Sequence, residues 1–307
     1  MQVADGVWPS RCYTWRMNAV VEPLPGLAAA LPALQGGGWR AALQLRFERR
    51  GACTALVRRE HVGPLRVQKA LYPEGEAVCH AIVLHPPAGI AGGDALEVGV
   101  ELGAGAHALL TTPGAGKWYR SGGPSASLMQ RIAVANGGIC EWLPQESIVY
   151  DGALGTLAME VELAGDAGFI GAEMLCFGRT GSGERFARGA LALATRIRRD
   201  GRSLWLERGR IAGGSPLLDS PAGLAGEPVV GTLLVASPKC DAALRDACRE
   251  VVPPVGQGAV TLLPGLLVAR WLGPACEPGR AWFTALLGVL RPAVAGRPMR
   301  VPRIWNT

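Results

Sequence analysis

The sequence lacks a long uninterrupted apolar run. Its best candidate for a membrane span, 259–272, is interrupted by Pro264, Gly265 and Arg270, whereas a transmembrane helix needs about 18 or more consecutive apolar residues. No apolar segment of the length that a secretory signal requires stands near the N-terminus. We therefore expect no membrane association, a cytoplasmic location and, in that reducing compartment, free thiols for the eight cysteines.

Motifs for thiol chemistry, covalent catalysis and nucleotide hydrolysis are also missing. No two cysteines have the Cys-x-x-Cys spacing of zinc ribbons, and no Gly-x-Ser-x-Gly nucleophile elbow occurs. The glycine-rich stretch 112–117 ends in Gly-Lys, but Thr111 stands where a phosphate-binding loop begins with glycine, and Trp118 stands where it has serine or threonine. We therefore expect a turn here, and no hydrolysis of GTP or ATP by this chain.

The charge balance gives little sign of a nucleic-acid partner. The chain carries 31 basic and 25 acidic residues, a net charge of +6. The basic residues do not cluster with aromatic residues on a recognisable reading element, so we expect no nucleic-acid binding. Solvent-exposed strand faces and contacts with acidic protein partners are enough to explain a moderate excess of basic residues.

Glycine and proline, in contrast, are abundant, with 43 and 23 residues out of 307. They favour many short elements joined by turns. Between them, runs such as 42–48 and 96–102 alternate apolar and polar residues, which indicates half-buried strands. The spacing leaves no room for crossover helices, so it predicts a mainly β fold: a sheet stack, a sandwich or a β-helix-like coil. The other predicted strands are 54–60, 106–112, 128–134, 139–143, 156–163, 169–177, 190–199, 203–208, 229–236 and 258–272.

Two helices are predicted near the C-terminus. Residues 241–252 and 279–291 each place apolar side chains on one stripe at helical spacing, and Pro292 is expected to end the second helix. At the other end, residues 1–35 are rich in proline and alanine and have no sustained period. They predict a loosely ordered extension that precedes a single domain, 36–307.

A metal site made of neighbouring residues is not expected. Cys79, His80 and His85 are the closest group of soft ligands. On a strand, Cys79 and His85 would share a face but lie roughly 20 Å apart, and His80 would point to the opposite face. A single imidazole that lines a passage remains a reasonable role for His85.

Several carboxylates stand in apolar or glycine-rich surroundings. Burial of a carboxylate is costly unless the group is paired, hydrogen-bonded or bound to a cation. Two interpretations are open: turn capping with arginine pairing, or a weak, oxygen-rich path along which a divalent cation binds and leaves. The carboxylates in question are Asp94, Glu146, Asp151, Glu173 and Glu184.

Around these carboxylates the sequence resembles a known family, the urease accessory protein UreD, also called UreH. The longest matching strings are HPPAGIAGGD at 85–94, LTTPGAGKWYRS at 110–121 and EWLPQESIVYDG at 141–152. Shorter matches lie at 61–68, 71–75, 79–80, 175–179, 183–184, 186 and 302–307, so the resemblance covers roughly residues 38–307. The departures are mild: Ala88 replaces a usual glycine, Gly116 a common serine or threonine, and Trp118 a phenylalanine.

The resemblance implies a non-enzymatic chaperone that inserts nickel into apo-urease. Its fold would be a twisted, β-helix-like stack of many short strands with two helices. Its partners would be apo-urease and the helical accessory protein UreF, which recruits the GTPase UreG. The resemblance further implies a passage for the nickel ion, which would bind transiently, and no tightly bound cofactor. Matched position makes residues Asp94, Glu146, Asp151 and Glu184 candidates for lining or gating this passage, with Glu173 and His85 as further candidates.

Two other functions remain open. A β-helix or sandwich hydrolase that acts on glycans would use two carboxylates about 5–9 Å apart in an open, aromatic-lined groove. A pure scaffold would hold urease and its partners together without conducting the ion. Replacement of the passage carboxylates would then leave urease activation intact.

Overall fold

Within residues 38–306, which the computed structural model describes, the chain forms seventeen β-strands and three α-helices. The strands are β1 (Arg40–Arg50), β2 (Cys53–Val62), β3 (Arg66–Leu71), β4 (Cys79–Leu84), β5 (Ala95–Leu102), β6 (His107–Thr111), β7 (Gly116–Trp118), β8 (Ala126–Val134), β9 (Ile139–Trp142), β10 (Ser147–Val149), β11 (Leu154–Leu163), β12 (Gly168–Phe177), β13 (Ala190–Arg199), β14 (Arg202–Ala212), β15 (Val229–Ala236), β16 (Gln257–Leu263) and β17 (Leu266–Gly273). The helices are α1 (Pro216–Asp219), α2 (Ala242–Arg249) and α3 (Cys276–Ala295).

The chain coils between two sheets. Strands β5, β8, β11 and β13 lie side by side and parallel in one sheet, whereas β6, β9 and β12, which alternate with them along the chain, lie parallel in the other. Turns with glycine at positive φ, such as Gly105 and Gly137, connect successive passes. This alternation is the β-helix-like stack that the family resemblance implies, and it is one of the three arrangements that the strand pattern left open.

Antiparallel strands close the sheets at their ends. The first sheet has seven strands in the order β14-β13-β11-β8-β5-β1-β2, and the β1–β2 and β13–β14 hairpins are its two edges. The second has ten strands, and its main path runs β16-β17-β15-β12-β9-β6-β4-β3. On this path β12 pairs antiparallel with β15, and β15 pairs antiparallel with β17.

Strand alternation separates two hydrophobic cores. Phe169, Leu175 and Phe177 of β12 face the first sheet and join the core between the sheets. Ile170 and Met174 of the same strand face the other way and join a core that includes residues of α2 and α3. The side chain at position 173 is therefore directed between the sheets, because residues two apart on a strand share a face.

The two helices predicted near the C-terminus are confirmed, but they begin and end at residues other than those predicted. Helix α2 begins after Asp241, whose side chain accepts a hydrogen bond from the Leu244 N–H at 2.8 Å. Helix α3 continues past Pro292 for almost one turn and stops at Gly296, which has a φ of 65°. The expectation that Pro292 ends this helix is wrong, because the proline removes a single hydrogen bond, to the carbonyl of the exposed Gly288.

Other differences from the sequence prediction are local. The predicted strand 258–272 is a hairpin of β16 and β17, because Gly265 in its middle has a φ of 71° and makes a turn. Strands β3, β4, β7 and β10 and the single turn α1 were not predicted. The predicted extension 1–35 lies outside the described residues. None of the helices within 38–306 has the length and apolarity needed to cross a membrane.

Candidate functional site

Two neighbouring cavities lie between the sheets. The larger cavity has a volume of about 390 Å³, and the smaller has a volume of about 200 Å³. Met159 of the first sheet and Glu173 of the second line both of them. These two residues therefore lie where the two cavities adjoin, and we call the two cavities together the intersheet passage.

The larger cavity opens where the second sheet is interrupted. Strand β12 pairs with β9 at residues 168–171 and with β10 at residues 175–177. Between these segments the chain leaves the sheet at 143–146, so residues 172–174 of β12 have no strand partner on that side. These three residues line the larger cavity together with the glycine-rich turn 112–117. The turn that resembled a phosphate loop is thus part of the cavity wall.

Glu173 is the carboxylate at the junction of the cavities. Its side chain makes no hydrogen bond or ion pair with any described residue. The pKa of Glu173 is raised to about 7, chiefly by enclosure between the sheets and also by the Glu207 carboxylate, while the Arg270 guanidinium opposes the shift. Near neutral pH this carboxylate therefore exchanges a proton readily and is not neutralised by a fixed partner.

Arg270 faces the smaller cavity from β17. Its guanidinium donates from Nη1 to the Thr232 hydroxyl at 3.0 Å and from Nη2 to Glu207, which belongs to β14 of the opposite sheet. It also lies 5.9 Å from the ring centroid of Trp205. The Arg270–Glu207 ion pair therefore bridges the two sheets across the passage.

His85 also lines the larger cavity, as the residue that follows β4. Burial lowers the pKa of its imidazole, and the Asp94 carboxylate partly opposes the shift. The two other soft ligands near it have separate environments. Cys79 is fully buried in the core, and His80 Nε2 lies 2.7 Å from Glu74 Oε1.

Glu146 lies beside the opening of the larger cavity. Its Oε2 atom is buried without a hydrogen bond and lies 3.3 Å from Nη1 of Arg280 on α3, a contact between opposite charges. The preceding residue, Gln145, lines the cavity and accepts a hydrogen bond from the same guanidinium. Glu146 is thus close to the passage, although it is not among the residues that line it.

Asp94, Asp151 and Glu184 are engaged elsewhere. The Asp94 carboxylate accepts the backbone N–H groups of Trp39 and Ala91, each at 2.8 Å, and so fixes a turn. Both Asp151 and Glu184 hold an arginine as well as backbone N–H groups. Their partners are Arg188 for Asp151 and Arg179 for Glu184.

These contacts correspond to turn capping and arginine pairing. Hydrogen bonds from Arg188 lower the pKa of Asp151, and hydrogen bonds from Arg179 lower the pKa of Glu184. Neither these two carboxylates nor Asp94 lines either cavity. A role for the three residues in the passage of an ion stays a prediction.

The passage offers no preformed multidentate metal site. Among residues 38–306, no group of three or more His, Cys, Asp or Glu side chains is arranged to hold a metal ion. An ion in the passage would meet the Glu173 carboxylate, the thioether of Met159 and the Gln130 amide. Such a set binds divalent cations more weakly than a cluster of thiolates or imidazoles does.

The larger cavity differs from a glycan-binding groove. Among the described residues that line it, Glu173 is the one carboxylate and Trp142 is the one indole or phenyl ring. Glycoside hydrolysis requires two carboxyl groups across the scissile bond and benefits from several aromatic platforms. The hydrolase alternative therefore has no support in this cavity.

Sequence reasoning did not single out Glu207, Thr232 and Arg270, and it named Glu173 only as a further candidate. One signal was available for Glu173. The predicted strand 169–177 alternates, so position 173 shares a face with Phe169 and Leu175, and a carboxylate on that face is buried. No local signal identifies Glu207, because its contact with Arg270 joins strands from opposite sheets.

Comparisons with known proteins identify the family. The family model described as UreD urease accessory protein matches residues 40–306. A urease accessory protein UreD from Azoarcus sp. strain BH72 is 68% identical over 291 residues, which is 95% of this chain and 100% of the relative. Proteins of the same name from Dechloromonas aromatica strain RCB and Pseudomonas fluorescens strain Pf-5 are 54% and 49% identical, over 88% and 91% of this chain and 95% and 99% of their own lengths. With the family model matched over almost the whole described chain, this protein belongs to the UreD family of urease accessory proteins.

Proposed function

We propose that this protein is a non-enzymatic chaperone of urease maturation, and that the nickel ion reaches apo-urease through the intersheet passage. The observation that carries the proposal is the free carboxylate of Glu173 at the junction of the two cavities. Among the described residues, Glu207 is the other carboxylate that lines the passage, and it is paired with Arg270. Glu173 is therefore the group available to a passing cation.

The chemistry of Glu173 suits transfer better than storage. A conducting site must attract an ion and also release it, so it uses weak ligands in series. One carboxylate with neighbouring thioether and amide groups meets this requirement, and a resident metal cluster would not. Nickel is accordingly the cargo here, bound transiently.

The partners follow from what the chain does not supply. The turn 112–117 lacks the residues of a nucleotide-binding loop, which supports a maturation complex in which another protein hydrolyses GTP. We assign that role to UreG, recruited through UreF, with apo-urease as the acceptor. The complex would assemble in the cytoplasm, and nickel would pass through it from UreG to urease.

The proposal is tested in cells that carry a complete urease gene cluster. The gene for this protein is deleted and replaced by the wild type, by Glu173→Gln or by Glu162→Gln. Glu162 lies on the outer face of the first sheet in an ion pair with Arg198, so it serves as the matched control. The measurements are urease activity, nickel per purified urease and recovery of the accessory complex.

We expect wild type and Glu162→Gln to restore nickel to urease, and Glu173→Gln to assemble the complex but lower the nickel content at least fivefold. Full nickel loading with Glu173→Gln would reject the passage and favour the scaffold function. Full activity after deletion of the gene would reject any role in maturation.

A further inference from the structure

Glu173 and Arg270 stand in the same cross-strand row. Glu173 pairs with Thr232 of β15, and Thr232 pairs with Arg270 of β17. All three side chains are on the face directed at the first sheet, and Thr232 separates the two charged residues. Two strand spacings amount to about 10 Å, a separation that an extended arginine and an extended glutamate cover together.

Arg270 nevertheless makes no hydrogen bond or ion pair with Glu173, because its guanidinium is engaged by other groups. Its Nη1 is hydrogen-bonded to Thr232, its Nη2 to Glu207 across the passage, and its guanidinium lies near the Trp205 ring. Glu207 and Trp205 are both on β14, so one strand of the opposite sheet provides two of the three contacts. Glu207 is the one member of this set that balances the arginine charge.

The charged groups around Glu173 leave few alternatives for Arg270. Those that line the smaller cavity are Glu207, Arg210 and Arg270. Those that line the larger cavity besides Glu173 are Lys117 and, when protonated, His85. If Glu207 lost its charge, Glu173 would be the remaining carboxylate among the described residues that line the passage.

We propose that Glu207 is a positioning residue that holds Arg270 away from Glu173 and so leaves the Glu173 carboxylate free for the cation. This inference rests on the function proposed above. It predicts that removal of Glu207 closes the passage, because Arg270 turns along its own row and pairs with Glu173. Removal of both Glu207 and Arg270 should leave the passage open again, although this variant lacks two charged residues.

The test is a double-mutant cycle on the full chain, purified with its accessory partners. Binding of NiCl₂ is measured by calorimetry for the wild type, Glu207→Leu, Arg270→Met, the Glu207→Leu/Arg270→Met double variant and Glu173→Gln. The site under study is the one that Glu173→Gln removes. A second readout is the pKa of Glu173, from the ¹³C chemical shift of its labelled carboxyl group.

We expect Glu207→Leu to weaken binding at this site at least tenfold and to lower the pKa of Glu173 below about 7. Loss of the Glu207 charge by itself lowers this pKa, so the test is the effect of Arg270, which should be larger between Glu207→Leu and the double variant than between the wild type and Arg270→Met. The double variant should bind nickel within threefold of the wild type, with the pKa of Glu173 at or above its original value. A role of Glu207 in folding alone would not produce this rescue.

Three results would overturn the inference in distinguishable ways. Unchanged binding in Glu207→Leu would mean that Arg270 does not need to be held. A double variant as weak as Glu207→Leu would mean that Glu207 is itself a ligand or a structural requirement. If Glu173→Gln instead kept every nickel site of the wild type, the proposed function on which the inference rests would be rejected.

Discussion

Arg291 donates to both carboxylate oxygens of Glu141, from Nε to Oε2 at 2.8 Å and from Nη2 to Oε1 at 3.0 Å. The two residues are 150 positions apart, and both side chains are completely buried. The same guanidinium donates to both oxygens of Glu74 at 2.8 Å and to the carbonyl of Pro298. Helix α3, strand β9 and the segment before β4 are thus joined by one arginine.

We first predict that Arg291→Met destabilises the fold by about 3–5 kcal/mol, because it leaves two buried carboxylates without their positive partner. Arg291→Lys should cost less, since the charge remains while the bidentate geometry is lost. Arg245→Met, which breaks an exposed pair with Asp246, should cost under about 1 kcal/mol. Urea unfolding measures all three, and equal effects for Arg291→Met and Arg245→Met would contradict the role of the network.

The same network predicts a loss of stability in acid. Burial acts to raise the pKa of Glu74, but hydrogen bonds from His80 and Arg291 outweigh it and lower the pKa to about 2. A carboxylate with a lowered pKa in the folded state stabilises the fold above its ordinary pKa, and the contribution disappears as pH falls from about 4.5 towards 2. The loss should be on the order of 3 kcal/mol.

Unfolding by urea at a series of pH values between 6 and 2.5 checks this prediction. The wild type should lose stability steeply below pH 4.5, and Glu74→Gln should start less stable at pH 6 and lose less over the same range. Parallel curves for the two proteins would show that Glu74 does not carry the effect.

For Glu173 we predict that the stability of the fold depends on pH in the opposite direction. Its pKa is raised to about 7 by burial, so the folded state binds this proton more tightly than the unfolded state does, and stability falls as pH rises from about 4.5 to 7. Glu173→Gln should therefore stabilise the protein at pH 8 by on the order of 3 kcal/mol, with little change at pH 4.5. Thermal unfolding at the two pH values measures the difference, and a stabilisation independent of pH would contradict this origin.

The backbone conformation of Ala88 leads us to predict a stabilising substitution. It has a φ of 61° in a turn closed by its N–H and the His85 carbonyl at 2.8 Å, a conformation that costs an L-residue roughly 1–2 kcal/mol. Ala88→Gly should relieve this strain and, after the extra entropy of the unfolded glycine, raise the free energy of unfolding by about 0.5–1 kcal/mol. Ala95→Gly in β5 should instead lower it by about 0.5–1 kcal/mol, and a loss in both variants would refute the argument.

The sequence predicted the elements that have a strong local signal. Strands such as β1 and β5 alternate cleanly, and α2 has both an amphipathic stripe and an N-cap, so short-range patterns were sufficient. The three-residue strands β7 and β10 have no such pattern and exist because β12 and the coil around it provide partners. Ala88 is a similar case, since its departure from the family pattern was visible but its positive φ was not.

The site was less predictable than the fold. Asp94, Asp151 and Glu184 stand in glycine-rich strings, and such strings indicate turns as readily as they indicate binding residues. Glu173 could be placed between the sheets from alternation, but its lack of a partner depends on where Arg270 points. Arg270 pairs with Glu207, which is 63 positions away, and no local pattern encodes that contact.

The antiparallel hairpins at the ends of the first sheet have a consequence for self-association. A coil of parallel strands that stopped abruptly would expose a regular edge to which the next molecule could add, and such growth leads to fibres. Here the two outermost strands, β2 and β14, run against the direction of the coil and carry exposed charged residues, among them Arg58, Glu60, Arg208 and Arg210. The coil is thereby capped at both ends of this sheet, which disfavours polymerisation through these edges.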